Sequence, residues 1–273
     1  MRGVDKRSAL PDLGRISVLT SAVLLAFALT RLLPATAVDL RLTLGEFYLV
    51  YPLNLTNVLT FFAAGLTATG MDWLLRGHPA LGGKRTVEHW LLPMLTTLVI
   101  GVPLGLLPNG AAWWGTFAIG GVVLVVVFLA EYVAMDSAVP SYAVSTVLLT
   151  ALSFAIYLIL ATALAATGPR LVLLLPSVIV VSGLVALRAL HLRLHGRWEF
   201  LWALGIALVS AQFAAALHYW PVTPIQFGLG LLGPLYALTS LAGNLEEKTS
   251  LRRAMTEPLF VLFLAWGAAV VLG

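Results

Sequence analysis

From Ser141 to Thr167 the chain carries no charged side chain, and a stretch of that kind is what most narrows the folds open to it. A helix crosses the hydrocarbon of a bilayer in about 20 apolar residues. Backbone in hydrocarbon must satisfy its own N–H and C=O groups, which favours helices. Comparable runs recur along the chain. By that ruler nine spans are expected, at residues 16–33, 46–73, 90–108, 111–131, 141–167, 170–190, 198–219, 223–242 and 257–272. Turn residues fall between them: Pro108-Asn109-Gly110, Gly168-Pro169, and Pro221 with Pro224.

No polar stretch is long enough to fold as a separate soluble domain, and only 10% of the 273 residues are charged while 60% are hydrophobic. The expectation is an all-α, polytopic transmembrane bundle forming one domain over residues 1–273. The second run is too long for one vertical span and has Pro52 near its start, so it is read as a tilted helix or a helix preceded by an interfacial segment. Upstream, VDLRLTL (38–44) alternates as a short strand or extended loop does. Ala35-Thr36-Ala37 follows a basic segment and an apolar run, a pattern a signal peptidase accepts. The first run is read as an uncleaved anchor; cleavage would leave eight spans.

Charge sets orientation. With the N-terminus in the cytoplasm, the inner segments hold Arg2, Lys6, Arg7, Arg15, Arg76, Lys84, Arg85, Arg188, Arg193, Arg197, Lys248, Arg252 and Arg253, and the outer ones only Arg31, Arg41 and Arg170, which accounts for all 16 basic residues. An alternating topology in the cell inner (plasma) membrane, with the C-terminus outside, sorts them in this way. A pI near 9.6 therefore reflects basic loops facing lipid, so the expected partners are membrane lipids and other membrane subunits, not nucleic acid. With no cysteine, disulfides, thiolate nucleophiles and cysteinyl zinc are excluded. No cofactor and no metal are expected.

The densest polar stretch is HLRLHGRWEF, residues 191–200. On one continuous helix His191, His195 and Glu199 would share a face, as metal ligands do. The span is already membrane-length by residue 190, so residues 191–197 are read as the turn, with Gly196 as breaker and Glu199 at the start of the returning helix, where the macrodipole favours an acid. Arg188, Arg193 and Arg197 are read as headgroup contacts. On the same side lie His78, Glu88 and His89. Together with Glu131, His191 and Glu199 they form the best catalytic constellation available. Against a common site, the side chains of adjacent Glu88 and His89 are expected to diverge. Glu131 and Asp136 would point about 140 degrees apart on a helix, and their plain role is pairing with Arg188 or Arg76.

Two further strings are set aside. GNLEEKTSLRRAMTEP (243–258) resembles the paired-glutamate motif of membrane-embedded proteases, but no histidine follows His218; Asn244 with Glu247 reads as an N-cap and its box partner, and Thr256-Glu257-Pro258 as the start of the last span. FGLGLLGP (227–234) matches G-x-G-x-x-G without a preceding strand. Its small residues, like those of GVPLG (101–105), are expected to let helices approach closely. Pro93, Pro103, Pro176 and Pro234 are expected to kink their spans.

Glu46, Tyr51, Asn54 and Asn57, with Gln212, Gln226 and His218, are candidates to line an outward cavity. No acidic or basic residue lies near the centre of any expected span, which disfavours a pump or coupled carrier. The leading functional expectation is a non-catalytic structural, assembly or lipid-contacting membrane component. The alternatives are an interfacial lipid-handling enzyme on the cytoplasmic face, and a facilitator or flippase for an apolar or amphipathic substrate.

Overall fold

The computed structural model describes residues 11–32, 37–44, 47–82, 85–108, 110–136 and 138–272. Among them, nine helices are long and apolar enough to cross a membrane, and the protein is an all-α, multi-pass membrane bundle with one appended β-hairpin. At 1.5 Å rise per residue, a helix of 20 residues spans about 30 Å, the thickness of the hydrocarbon core. The chain divides into two compact units, Met1–Ser145 and Thr146–Gly273.

In the first unit α1 (Leu13–Leu32) precedes an antiparallel hairpin, β1 (Ala37–Leu44) and β2 (Phe47–Asn54), paired from Ala37↔Asn54 to Leu44↔Phe47. The long second run is thus not one helix. Its first part is β2, with Pro52 opposite Asp39, and α2 (Leu55–Leu75) starts only where the Asn54 side chain accepts the Asn57 N–H at 2.8 Å. A 3₁₀ turn (Val87–His89) leads into α3 (Leu91–Leu106), and α4 (Ala111–Val133) completes the unit. Ile16, Leu19, Val23 and Phe27 recur on one face of α1 and pack with Met71, Leu74, Ile100, Leu124 and Phe128. The Thr67 and Thr97 hydroxyls meet at 2.8 Å between α2 and α3. The two helices come so close at Gly101 that a Cβ there would lie 2.4 Å from Thr60 Cγ2.

The second unit holds nearly all of α5 (Tyr142–Ala166), then α6 (Leu171–Arg193), α7 (Phe200–His218), α8 (Pro224–Glu246) and α9 (Leu251–Val271). Gly228 of the G-x-G-x-x-G string serves packing: a Cβ would fall 2.3 Å from Thr162 Oγ1 of α5. Two interior prolines lock α8 to α9. Proline has no N–H, so the carbonyl four residues earlier loses its helical donor. Pro234 frees the Gly230 carbonyl, which accepts from Trp266 Nε1 of α9 at 3.2 Å. Pro258 frees the Ala254 carbonyl, which accepts from Asn244 Nδ2 of α8 at 2.9 Å. Each helix supplies the donor that the other's proline withheld. Pro103 and Pro176 also lie inside helices, but Pro93 falls in the first turn of α3, where no helical donor is lost.

Three expected boundaries shift. α6 continues through Arg193, so His191 is helical and the reversal occupies residues 194–199. α8 runs to Glu246, which makes Asn244 an interior residue and Glu247 the C-cap, not an N-cap and its box partner. α9 begins at Leu251, so Glu257 and Pro258 lie two turns inside it and do not start it. α6 and α8 end alike, with the Gly196 N–H on His191 O (2.9 Å) and the Thr249 N–H on Asn244 O (3.1 Å), and with His195 (φ 53) and Lys248 (φ 59) in the left-handed position. Glycine is usual there; a basic side chain has the compensation of facing the negative end of the helix dipole.

Candidate functional site

In the first unit the polar groups gather where α2, the 3₁₀ turn and α4 end. Asp72, in the last turns of α2, pairs with Arg76 at 2.7 Å and accepts the Thr86 hydroxyl, which anchors the returning chain. Arg76 is therefore matched within its own helix instead of with Glu131 or Asp136, and Asp136 accepts the Ala138 N–H of its own loop at 3.0 Å. Held at Thr86, the 3₁₀ turn delivers His89 to the last turns of α4, where its Nδ1 lies 2.6 Å from Glu131 Oε2. Such a separation requires a proton between the two atoms. Both residues are buried, His89 to 4% exposure and Glu131 to 0%.

The tight turn also brings Glu88 back toward its neighbour, with Oε1 3.7 Å from His89 Nε2, so the two side chains flank one ring instead of diverging. That distance is ion-pair range and too long for a hydrogen bond. His78 lies beside Tyr132, ring centroids 4.3 Å apart, and its Nδ1 accepts the Ala80 N–H at 3.0 Å, which places the proton of the neutral ring on Nε2. An imidazole held by a carboxylate has two parts of a nucleophilic triad, the base and its orienting acid. Among the described residues no hydroxyl is placed as the third, and the far nitrogen of His89 faces Glu88. The arrangement can store or relay a proton.

In the second unit Arg193 is the hub. Its Nε and Nη2 reach the two Glu247 oxygens at 2.9 and 3.1 Å, Nη1 reaches the Ser240 carbonyl and hydroxyl at 3.3 Å, and Nη2 also reaches Asn244 Oδ1. From there the chain of bonds continues to α9: Ser240 Oγ donates to Glu257 Oε2 (3.3 Å), and Tyr236 Oη to Glu257 Oε1 (2.6 Å). The guanidinium lies flat across α8 because position 243 has no side chain; a Cβ on Gly243 would sit 2.6 Å from Arg193 Cδ. The hydrogen bonds from Arg193 hold the Glu247 carboxyl below its ordinary pKa, against the opposing effect of burial. At the rim Arg197 pairs with Glu199 (2.6 Å) and Glu246 (3.2 Å), and Trp202 Nε1 donates to Glu246 at 2.9 Å. His191 rests on Trp198, centroids 4.4 Å apart.

These contacts revise the expected headgroup contacts. Arg193 has its donors engaged by α8, and Arg188 is buried to 1% exposure, out of reach of bulk headgroups. Arg197 alone of the three is well exposed. Of the six catalytic candidates, His89, Glu88 and Glu131 come together and His78 stands next to Tyr132 in the first unit, while His191 and Glu199 belong to the second. Among the described residues no group of three or more His, Asp or Glu side chains is placed to hold a metal.

The outward-cavity candidates belong to both units. Glu46 lies outside the described residues, Tyr51 is on β2, Asn57 is in α2, and Gln212 is an exposed residue of α7. Gln226 completes a capping box with Thr223 and donates to Ala269 O of α9 at 3.2 Å. Tyr236, Ser240 and Glu257 were not candidates at all. Their signal was present as the spacing Tyr236, Ser240, Asn244, Glu247, which repeats at helical periodicity along one face of α8.

A family model described as protein of unknown function (DUF5656) matches residues 34–272. The chain belongs to that family. The matched region begins just after α1 and takes in both polar clusters. No curated protein and no solved structure gives a significant match.

Proposed function

We propose that this member of the family is a non-catalytic component of the cell inner membrane, structural or lipid-contacting, whose polar side chains brace its helices and loops. One observation carries the reading. The best acid–base pair, His89 with Glu131, is buried, and its outer nitrogen meets Glu88 where a catalytic site would present a nucleophile or an open face. Arg193, Asn244 and Glu257 likewise work between helices. The second reading, an interfacial lipid-handling enzyme, is favoured by the same pair if its cover opens. Whole-cell lipid profiles separate the two. Cells carrying His89→Gln or Glu131→Gln at wild-type protein level are expected to have the same lipid species as cells carrying the wild type. A species that accumulates only with the variants establishes the enzyme.

Thirteen basic residues at one set of helix ends and loops against three at the other support a cytoplasmic N-terminus. The chain has no cysteine of its own, so single introduced cysteines report sidedness directly. Ser250→Cys, between α8 and α9, is expected to react with an impermeant maleimide only from the cytoplasmic side, and Thr167→Cys, after α5, only from outside. The reverse pattern overturns the orientation.

A further inference from the structure

The second unit carries an apolar cleft of about 170 Å³ between α7, α8 and α9, lined among others by Phe213, Pro234, Leu238, Met255, Leu259 and Leu262. Met255 and Leu259 are exposed, so the cleft opens along the flank of α9. The adjoining surface of α9 is apolar as well, with Phe260, Phe263 and Leu264 all exposed. In a bilayer such a surface lies in hydrocarbon, and what fills the cleft is a hydrocarbon chain.

The end of the cleft nearest the start of α9 is marked by charge. Lys248 and Arg252 are exposed there, Arg253 lies about 160° from Met255 around α9 and faces away from the cleft, and among the described residues none of the three has an acidic side chain within ion-pairing distance, whereas Arg193 and Arg197 are matched by glutamates. Arg252 precedes the cleft-lining Met255 by three residues, about 4.5 Å along the helix axis. The acids nearby are engaged: Glu246 with Arg197 and Trp202, Glu247 with Arg193, Glu257 with Tyr236 and Ser240. Glu257 stands a further turn along α9, about 6 to 7.5 Å past the two arginines. That is the level of the glycerol esters of a lipid whose phosphate lies at Arg252.

We infer that the cleft is a binding site for an anionic phospholipid, one acyl chain lying between α7, α8 and α9 and the phosphate held by Lys248 and Arg252. Two cations with no acidic partner among the described residues select an anionic headgroup over a zwitterionic one, and the cleft distinguishes a bound lipid from one that merely surrounds the protein. The inference rests on the lipid-contacting reading above and adds to it a place and a headgroup class.

Native mass spectrometry of the full chain in mild detergent, titrated with phosphatidylglycerol or phosphatidylcholine, tests it. The wild type is expected to retain one phosphatidylglycerol in preference to phosphatidylcholine. Each of Lys248→Ala and Arg252→Ala is expected to weaken phosphatidylglycerol about fivefold, the effect of one cation near a lipid surface, whereas Arg253→Ala, on the far face of α9, is expected to leave it unchanged. Met255→Trp, which fills the cleft from an exposed position, is expected to weaken both lipids while leaving the thermal transition in place. Selective retention that no variant changes overturns the site and leaves the lipid-contacting reading intact. Equal retention of both lipids by the wild type overturns the anionic site and leaves the lipid-contacting reading intact, and retention of neither overturns both.

Discussion

Replacing His89 with alanine is expected to destabilise the protein by about 2 to 5 kcal/mol, for the lost hydrogen bond to a buried carboxyl group together with the cavity left by the ring. Glu131 would lose a 2.6 Å partner while remaining at 0% exposure, and the vacated ring would leave a cavity beside the end of α4. Thermal unfolding in mild detergent measures the loss. His89→Gln keeps a side-chain amide able to donate to Glu131 and is expected to recover part of it. A His89→Ala protein that melts like the wild type would remove the pair as a structural brace and bring the enzymatic reading forward. Glu131→Gln gives the complementary result, since it removes the charge and keeps the shape. If the pair serves only stability, the glutamine variants change melting and leave lipid chemistry untouched.

Arg193→Met is expected to cost about 2 kcal/mol, the lower part of the range for hydrogen bonds to charged groups, because the Arg193–Glu247 pair is partly open to solvent. The variant leaves the α8 stripe of Ser240, Asn244 and Glu247 without the cation it surrounds. Gly243→Val pushes a side chain into the space the guanidinium occupies and is expected to cost a similar amount. Because both changes break the same contacts, the double variant should be little worse than either single one. Full additivity would mean that Arg193 and Gly243 act separately.

The same pair has a pH signature. Glu247 has its pKa lowered by Arg193, so its contribution is fully present above the ordinary carboxylate pKa and is lost as the pH falls through the lowered value. Wild-type stability should therefore decline in acid more steeply than that of Arg193→Met, as unfolding curves across that pH range would record.

Interruptions in the apolar pattern show where sequence reasoning reached its limit. In the second run the length and Pro52 already allowed for a segment ahead of the helix, but the start of the helix at Asn54 was not legible, because a side chain that caps a backbone N–H is not visible in hydropathy. At the other end of the chain Thr256-Glu257-Pro258 looked like a helix start. The helix instead runs through Pro258, because Asn244 of the neighbouring helix takes up the carbonyl that the proline leaves free. Local rules place proline at helix starts, and a tertiary donor overrides them.

What the sequence determined by itself was the solvent of each segment. Nine apolar runs and basic residues confined to their ends follow from the transfer energy of single side chains, a property that needs no neighbours. What only the tertiary structure decided was which polar groups meet. His89 and Glu131 are 42 residues apart, and Arg193 and Glu247 are 54. A hydrogen bond depends on a few tenths of an ångström and on direction, so no one-dimensional spacing between helices fixes it. The packing of the helices does.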